Sequence, residues 1–572
     1  MQVTGSKAIL ESLKKEKVKT AFGYPGGAIM PLYDEFLNEE KNFRHVLMRH
    51  EQGAAHAAEG FARASGDIGV CISTSGPGAT NLVTGLVDAF CDSVPVVALS
   101  GQVPTNLIGN DAFQEADMFG LTMPMVKHNF KIMSASDIPR VFKSAFHIAR
   151  TGRPGPVHID LPKDVQTNKL DFKYPESIKL KGYNPNFEGH PMQIKKAVEM
   201  LLNAERPLIF AGGGVVIANA SQELTKLAES LFCPVITTLM SKGVFDEEHP
   251  LCLGMAGMHG RKTANYAIEN CDLILAVGTR FSDRVTGNLK TFAPHAKIIH
   301  VDLDASEIGK NVRADLPIVG DAKKTLGGML EIIKNTKAKE LSKKHSKWSS
   351  KMKQLRKNCD CNLDYPSTPI KPQKVIFELQ KVLGRKSIVT TEVGQNQMWA
   401  AHFLRLNKTR SFISSGGLGT MGFGLPAAIG AKAAKPDHDV FDVAGDGSLL
   451  MTCQELLTSK NEELPVIVVL LNNNWLGMVK QWQKLFFDKR YASTHLGEQA
   501  DFVKLAESFG CSGETVKKPR EIKQALENAL KSDVSYVVDI HTDPEEDVLP
   551  MLPPGGTTNA NMLGECPWHE RH

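Results

Sequence analysis

Two short segments in the last third of the chain carry oxygen ligands that suit a divalent cation. Gly445-Asp446-Gly447 follows an apolar run, and after 24 further residues a second apolar run ends in Asn472-Asn473. If both runs are neighbouring strands, Asp446 and Asn473 lie side by side at the edge where ligands bind. Mg²⁺ prefers carboxylate, amide and main-chain oxygens, and glycines let the backbone close on a diphosphate. The spacing therefore predicts a magnesium and diphosphate site, although Gly-Asp-Gly alone would be an ordinary turn.

A carboxylate stands near the start of a segment that is built from small side chains. Residues 49–63, RHEQGAAHAAEGFAR, are predicted to form a helix rich in glycine and alanine, and Glu51 precedes most of them. Small side chains let a second backbone or a ligand approach closely. An unpaired buried glutamate ion is costly, so Glu51 must stay hydrated, find a partner or bind a proton.

Three regions of the chain repeat one pattern, in which short β-branched runs end in Gly, Pro or Ser and lead into helical segments. The pattern predicts an α/β fold with three doubly wound domains and mainly parallel sheets. Polar segments rich in Pro or Lys are predicted to link them. The expected boundaries are a first domain at 1–165, a linker at 166–190, a central domain at 191–335, a linker at 336–369 with a solvated lysine-rich helix, a third domain at 370–545 and an irregular tail at 546–572.

The composition argues against several classes of protein. Lys and Arg exceed Asp and Glu by only four charges, 67 against 63, and no basic stripe is interleaved with aromatics, so nucleic acid is not an expected partner. No apolar run reaches 18 residues, so no membrane span is expected. The amphipathic N-terminus does not resemble a signal peptide, and the ten cysteines form no disulfide or zinc framework. These features predict a prokaryote-type cytoplasmic protein with reduced cysteines, and the alternative is a processed organellar form.

The Gly-Asp-Gly and Asn-Asn pair resembles the signature of enzymes that use thiamine diphosphate, and the resemblance extends over essentially the whole chain. It implies that the first domain binds the cofactor's pyrimidine ring, the third binds its diphosphate, and the central one is nucleotide-binding-like. Asp446, Asn473 and the main-chain oxygen of Trp475 would hold Mg²⁺. Glu51 would hydrogen-bond N1′ of the aminopyrimidine, favour its imino tautomer and so assist removal of the thiazolium C2 proton. The small residues around Glu51 would give clearance to that ring and to a neighbouring subunit.

The same resemblance implies further contacts with the cofactor. The loop SSGGLGTMGFG, residues 414–424, would lie under the cofactor, where the Gly419 carbonyl would accept from the 4′-amino group. Met421 would keep the cofactor bent, whereas outside this motif it would be interpreted as a core methionine. The other implied contacts are Gly394, Gln395, Gly445, Gly447, Ser448 and Met478.

Longer motifs are similar to a narrower group, the acetohydroxyacid synthase family. They are FGYPGGAIMPLYD (22–34), RHEQGAAHAAEGFARASG (49–66), SGQVPTNLIGNDAFQEAD (100–117), GRPGPVHIDLPKDVQ (152–166), GTRFSDRVTG (278–287) and LGMVKQWQ (476–483). The resemblance implies decarboxylation of pyruvate and ligation of the hydroxyethyl unit to a second 2-oxo acid. Pyruvate as acceptor would give 2-acetolactate and 2-oxobutyrate would give 2-aceto-2-hydroxybutyrate, in valine, leucine and isoleucine biosynthesis. In addition to Glu51, the implied catalytic residues are Gly27, Gln114 and Lys163.

Four residues are implied to contact the substrate. Arg284 would bind the acceptor carboxylate, because a guanidinium offers paired donors. Trp482 would contact the acceptor's alkyl group, with Met478 and Phe113 lining the pocket. The residues themselves leave alternatives open: Arg284 could pair with Asp283, Trp482 could pack in the core, and Lys163 could be an exposed lysine at a helix start.

The central domain resembles the FAD-binding domain of the same family, although its FAGGGV run is not GxGxxG. FAD would be structural, because the carboligation has no net redox change; the alternative is an empty nucleotide fold. The implied FAD contacts are Arg153, Gly212, Gly213, Gly214, His259, Gly278, Arg280, Asp302 and Asp321.

The family builds its active site between two chains, so a homodimer or homotetramer is expected, and many members bind a small regulatory subunit. The alternatives are another thiamine enzyme (pyruvate oxidase, a simple 2-oxo acid decarboxylase or glyoxylate carboligase) and a non-catalytic relative. Glyoxylate carboligase lacks the glutamate that Glu51 supplies, and the His pairs of decarboxylases are not evident. The presence of Glu51, Asp446 and Asn473 argues against a non-catalytic relative.

Overall fold

The computed structural model describes residues 2–39, 42–334, 338–358, 363–498, 500–556 and 562–564. Two compact units can be distinguished: residues 1–184, 382–396 and 413–544 form unit 1, and residues 185–381, 397–412 and 545–572 form unit 2. Three six-stranded sheets, mainly parallel and flanked by helices, confirm the predicted doubly wound α/β fold. Cys359 and Cys361, which are two residues apart, lie outside the described residues, as do residues 557–561 and 565–572 of the expected tail. None of the helices in the described ranges has the length and apolar character needed to cross a bilayer.

The first region contains one six-stranded sheet and a short two-stranded one. Its elements are β1 (Gln2–Thr4), α1 (Gly5–Lys15), β2 (Thr20–Gly23), α2 (Met30–Phe36), β3 (Arg44–Leu47), α3 (Glu51–Ser65), β4 (Gly69–Ser73), α4 (Pro77–Asn81), α5 (Val83–Asp92), β5 (Val96–Gln102), a 3₁₀ turn (Thr105–Leu107), α6 (Met118–Thr122), β6 (His128–Lys131), a 3₁₀ turn (Ala135–Asp137), α7 (Ile138–Arg150), β7 (Val157–Pro162), α8 (Lys163–Thr167) and β8 (Lys169–Asp171). The strand order is β3-β2-β4-β5-β7-β6, so the chain changes direction across the sheet between β2 and β4. Strand β8, which falls in the predicted linker, pairs antiparallel with β1.

The central region contains the second sheet. Its elements are α9 (Pro191–Asn203), β9 (Pro207–Ala211), α10 (Gly213–Ile217), α11 (Ser221–Leu231), β10 (Val235–Thr237), a 3₁₀ turn (Leu239–Ser241), β11 (Cys252–Met255), α12 (Lys262–Asn270), β12 (Leu273–Val277), α13 (Asp283–Thr286), β13 (Lys297–Asp302), β14 (Leu316–Val319), α14 (Ala322–Ile333) and α15 (Ala338–Asn358). The strand order is β11-β10-β9-β12-β13-β14, with the change of direction between β9 and β12.

Helix α15 is the lysine-rich helix that the sequence predicts, but it is not solvated on all sides. Trp348 and Met352 are buried in the central core, and the Trp348 indole donates to the Pro207 carbonyl at 3.0 Å. His345 places one ring nitrogen 2.6 Å from Leu231 O and the other 3.0 Å from Ala204 O. The sequence did not reveal this buried face, because His345, Trp348 and Met352 are only three residues in a long charged segment and give a weak periodic signal.

The third region contains the last sheet. Its elements are α16 (Pro372–Val382), β15 (Ser387–Thr391), α17 (Gln395–Phe403), β16 (Phe412–Ser414), α18 (Gly424–Ala434), β17 (Asp439–Gly445), α19 (Asp446–Leu449), α20 (Glu455–Asn461), β18 (Ile467–Asn472), α21 (Gly477–Phe486), α22 (Phe502–Ser508), β19 (Ser512–Val516), a 3₁₀ turn (Pro519–Glu521), α23 (Ile522–Leu530) and β20 (Tyr536–His541). The strand order is β16-β15-β17-β18-β20-β19, with the change of direction between β15 and β17. In open α/β sheets, ligands bind at the carboxyl ends of the strands beside such a change of direction.

The small residues of α3 pack against helix α18 of the same chain. A Cβ atom on Gly430 would overlap the carbonyl oxygen of Ala57, and one on Gly60 would overlap the carbonyl of Ala427. The two helices therefore approach at backbone distance, and both faces lie in unit 1. The expected clearance for a ring and a neighbouring subunit is thus filled, over this stretch, by an intrachain helix contact.

This contact makes Gly430→Ala destabilising, against the usual helix preference for alanine. The added methyl has no room against the Ala57 backbone, and overpacking of this kind costs about 1–3 kcal/mol. Gly327→Ala is the matched control: Gly327 lies inside α14, and nothing stands within 4 Å of its Cβ position. The free energy of unfolding of the Gly327→Ala variant should rise by roughly 0.5–1 kcal/mol. Calorimetric unfolding of both variants checks the opposite signs, and equal signs would contradict the packing argument.

Candidate active site

The structure brings the loops after β17 and β18 into contact. Strand β17 pairs in parallel with β18, with Gly445 opposite Leu471. Asp446, only 2% exposed, accepts hydrogen bonds from Asn474 N at 2.6 Å and from Gly447 N at 2.9 Å. Asn473 stands one residue before the first of these donors. The predicted carboxylate and amide therefore lie in two loops that are hydrogen-bonded to each other.

Gln395 and Asn473 meet at the start of helix α21. A Cβ atom on Gly477 would overlap Gln395 Oε1 and lie 3.0 Å from Asn473 Nδ2. Gln395 Nε2 donates to Gln481 Oε1 at 2.9 Å, and Asn473 Oδ1 accepts from Trp475 N at 3.0 Å. Gly477 and Gln481 were not singled out from the sequence; the only signal for them was their position inside the motif LGMVKQWQ.

The donor set at this edge fits Mg²⁺ and a diphosphate. Asp446 and Asn473 offer a carboxylate and an amide oxygen, with the main-chain oxygen of Trp475 two residues further on, and these are hard ligands without sulfur or imidazole. Gly445 and Gly447 flank Asp446 with no side chains. A bound cation would compete for the Asp446 oxygens with the two backbone N–H groups that they accept from.

The loop that contains Gly419 and Met421 is held by hydrogen bonds along its length. Ser415 Oγ donates to Asp88 Oδ1 at 2.6 Å and accepts from Gly419 N and Thr420 N. Asp92 accepts from two further backbone N–H groups of the loop, those of residues 416 and 417. Gly419 has a φ of +76°, which favours glycine. The Met421 methyl lies 3.9 Å from the Cβ position of Gly447, so this loop runs beside the predicted metal loop.

Glu51 is the first residue of α3 and is buried, with 9% of its surface exposed. Its Oε2 accepts from Asn81 Nδ2 at 3.0 Å, and its Oε1 lies 3.0 Å from the Cβ position of Gly78. Burial, followed by the charge of Glu51, raises the pKa of Tyr33 well above its usual value. The buried carboxylate thus has a hydrogen-bond donor that the sequence did not identify, because Asn81 lies 30 residues away.

The other first-domain candidates lie at or near the surface. Gly27 follows β2 and is exposed, and its neighbour Gly26 packs on Thr74, which follows β4. Gln114 is exposed, and its backbone packs on Gly76. Two further side chains are exposed: Phe113, at 89%, and Lys163, the first residue of α8. The position of Lys163 agrees with the alternative interpretation from the sequence, an exposed lysine at a helix start.

Helix α21 carries two further candidates of this unit. Met478 is half-buried in the first turn. Trp482, one turn later, packs edge-to-face on Phe486 with ring centroids 5.6 Å apart. The helix begins directly after the Asn473 loop, so both side chains stand on an element that the predicted metal loop positions.

In unit 2, several predicted FAD contacts meet where β9 and β12 end, beside the change of direction in the central sheet. A Cβ atom on Gly212 would overlap the Gly278 carbonyl, and Gly214 packs on Gly278 Cα. His259 Nε2 is buried and has no hydrogen-bond partner in the part of the chain that the structure describes. Burial, followed by the charge of Arg284, lowers the pKa of His259 to about 4. The close glycine packing at these strand ends and the orphan imidazole nitrogen of His259 are features of unit 2 that fit a nucleotide cofactor.

The remaining predicted FAD residues of unit 2 are half-buried: Gly213, Arg280, Asp302 and Asp321. Asp302 accepts from the backbone of Asp304 at 2.9 Å, and Asp321 caps helix α14 through Lys324 N at 3.0 Å. Arg153 belongs to unit 1, where its Nε donates to Ser93 Oγ at 2.8 Å. These contacts give the two aspartates structural roles in addition to any contact with a cofactor.

Arg284 forms the ion pair that the alternative interpretation describes. Its Nε lies 3.7 Å from Asp283 Oδ2, and both side chains are largely exposed. Exposed pairs of this kind contribute about 0–1 kcal/mol, so a stronger anion could displace Asp283. The Arg284 carbonyl accepts from Met258 N at 2.8 Å, which joins the motif GTRFSDRVTG to the segment that carries His259.

Three family descriptions match the chain. Residues 3–121 match the N-terminal TPP binding domain of thiamine pyrophosphate enzymes, residues 194–329 the central domain, and residues 392–540 the C-terminal TPP binding domain. Together they span well over half of the chain. They define the class of protein as a thiamine pyrophosphate (thiamine diphosphate) enzyme, as the sequence predicts.

Relatives that match nearly the whole length of this chain define a narrower family within this class of enzymes. The chain is 55% identical over 561 residues to the probable acetolactate synthase large subunit of Methanocaldococcus jannaschii, covering 96% of this chain and 94% of the relative. It is 48% identical over 567 residues to the acetolactate synthase large subunit of Corynebacterium glutamicum, covering 98% and 90%. It is 46% identical over 568 residues to the acetolactate synthase isozyme 3 large subunit of Escherichia coli (strain K12), covering 98% and 99%. The chain belongs to this acetolactate synthase large-subunit family of thiamine pyrophosphate enzymes.

Proposed function

We propose that the chain is a catalytic subunit of acetohydroxyacid (acetolactate) synthase. It decarboxylates pyruvate and ligates the two-carbon unit to pyruvate or 2-oxobutyrate, in branched-chain amino-acid biosynthesis. The observation that carries the proposal is the hydrogen-bonded pair of loops around Asp446 and Asn473, with Met421 beside them. The names of the relatives support the particular reaction.

Thiamine diphosphate supplies a carbon nucleophile once its C2 proton has been lost. The chain supplies the proton transfer and the orientation. Glu51 is buried and keeps one oxygen beside the Gly78 turn while Asn81 binds the other, so its carboxylate is oriented before the cofactor arrives. A buried, oriented carboxylate can hold a proton at N1′ of the pyrimidine. The Gly419 carbonyl, fixed through Ser415, is the acceptor assigned to the 4′-amino group.

The proposed Mg²⁺ ligands are Asp446, Asn473 and the Trp475 carbonyl. The proposed diphosphate and thiazolium contacts are Gly394, Gln395, Gly445, Gly447, Ser448 and Met478. Mg²⁺ would neutralise diphosphate charge and bind it to the third domain. Trp482, Phe113 and Met478 are proposed to contact the acceptor's alkyl group, with Arg284 for its carboxylate. Gly27, Gln114 and Lys163 are proposed to act around the reacting carbons.

FAD is proposed as a structural cofactor of the central domain. The glycines at the ends of β9 and β12 and the orphan His259 nitrogen support this assignment. A homodimer or homotetramer with shared active sites is proposed from the family resemblance, and the large-subunit names of the relatives support a small regulatory subunit as partner. A cytoplasmic location is supported by the buried thiols of Cys71 and Cys252, which form no disulfide.

A direct assay tests the reaction. Purified protein is incubated with pyruvate, thiamine diphosphate and Mg²⁺, with and without FAD, and acetolactate is measured. We expect acetolactate, and a mixture of both acetohydroxy acids when 2-oxobutyrate is added. Free acetaldehyde or acetyl phosphate in place of acetolactate would overturn the proposed function in favour of a decarboxylase or an oxidase.

A further inference from the structure

Glu392 is a fully buried carboxylate to which neither the sequence nor the proposed chemistry assigns a role. It follows strand β15 directly, beside the change of direction in the third sheet. Its Oε2 accepts from Gly422 N at 2.8 Å and from Ser448 Oγ at 2.6 Å, and its Oε1 accepts from Leu425 N at 3.1 Å. One side chain therefore receives three hydrogen bonds from two separate segments.

Each donor belongs to an element of the proposed cofactor site. Gly422 ends the loop that carries Gly419 and Met421, and Leu425 lies in the first turn of α18 behind that loop. Ser448 lies two residues after Asp446, in the single turn of α19. Gly422 N also lies 3.1 Å from Ser448 Oγ, so the three groups form a closed cluster.

A second buried carboxyl group, that of Asp442, lies near Glu392 but has fewer hydrogen-bond donors. Asp442, on β17, accepts from Thr390 Oγ1 at 3.2 Å, and its other oxygen finds no partner among the described residues. Burial, followed by the charge of Glu392, raises the pKa of Asp442 well above its usual value. Of these two buried groups, only Glu392 has hydrogen-bond donors on both of its oxygens.

We propose that Glu392 is a positioning residue that binds the Gly419–Gly422 loop to the Asp446–Ser448 loop, so that both meet thiamine diphosphate in one geometry. The proposal rests on the proposed function. Glu392 acts through backbone N–H groups and Ser448, and its three hydrogen bonds leave its carboxylate turned towards the protein. The two loops come from different strand ends, β16 and β17. Glu392 binds both, and it adds to the direct contacts that Gly422 makes with Ser448 Oγ at 3.1 Å and with Thr452 Oγ1 at 3.2 Å.

The test measures thiamine diphosphate affinity by titration calorimetry at fixed Mg²⁺, together with thermal unfolding and kcat. Glu392→Gln keeps the size of the side chain but replaces an acceptor with an NH₂ group that faces donors. We expect roughly tenfold weaker binding or more, because a hydrogen bond to a buried charged group is lost. Glu392→Asp keeps the charge with a shorter reach, so its affinity should fall between that of Glu392→Gln and the wild type.

Asp501→Ala is the matched control, because Asp501 caps helix α22 of the same unit through Lys504 N at 3.0 Å and touches neither loop. It should lose stability and keep wild-type affinity. If Glu392→Gln binds thiamine diphosphate with wild-type affinity, the proposal is overturned. It is also overturned if Asp501→Ala loses affinity in proportion to the stability that this control variant loses. If Glu392→Gln fails to fold, wild-type affinity in Glu392→Asp overturns it equally. A wild-type protein that does not bind thiamine diphosphate would overturn the proposed function instead.

Discussion

Replacement of Glu51 by glutamine is expected to leave the fold intact and to lower kcat by about 10²–10⁴-fold, the usual contribution of a positioned acid or base. Glutamine has nearly the same size, and its carbonyl oxygen can still accept from Asn81. It cannot hold a proton at the cofactor nitrogen as a carboxylate does. Steady-state kinetics with pyruvate, at saturating thiamine diphosphate and Mg²⁺, measures the effect.

Glu59→Gln is the control for this experiment. Glu59 lies two turns further along α3, is fully buried and contacts His56 Nδ1 at 3.1 Å. Burial raises its pKa well above the usual value, so the neutral amide closely resembles the group that it replaces. We expect nearly unchanged turnover in this variant. Equal losses in both variants would assign the effect to the helix, and unchanged turnover in Glu51→Gln would remove its role in proton transfer.

Asp446→Asn is expected to weaken Mg²⁺-dependent binding of thiamine diphosphate by roughly 100-fold or more. Partners that only support metal ligands are worth about 10–100-fold, and Asp446 is proposed to be a ligand itself. The variant loses the charge, and its NH₂ group leaves one of the two backbone donors, Gly447 N or Asn474 N, without an acceptor, because each donor binds a different Asp446 oxygen. Binding is measured by calorimetric titration of the cofactor over a series of Mg²⁺ concentrations.

Asp437→Asn is the matched control, because Asp437 precedes the opposite, amino end of strand β17. It is exposed and pairs with Lys386 at 2.7 Å. Its replacement should leave both the cofactor affinity and the Mg²⁺ requirement unchanged. If Asp446→Asn retains the wild-type Mg²⁺ dependence, the metal is bound elsewhere, and the assignment of this loop pair is wrong.

The sequence by itself determined the class of fold and the edge of each sheet where chemistry is expected. Buried strands such as Val96–Gln102 are local apolar runs that end near Gly, Pro or Ser and lead into helical segments, so the α/β alternation is visible without a structure. Asp446 and Asn473 could be paired because parallel neighbours bring their carboxyl ends to one edge. Their roles as ligands, like those of the other site residues, stay predictions.

Only the tertiary structure decided which distant residues complete these local patterns. The small face of α3 could serve a ring, a partner subunit or another helix, and the close approach of the Gly430 backbone to Ala57 selects the helix over this stretch. Asn81 and Glu392 carry no sequence signal, because a hydrogen-bond partner 30 or more residues away depends on how the whole sheet closes. Periodicity and turn residues act over a few neighbours along the chain. Buried polar groups must instead be satisfied by whatever the completed fold places beside them.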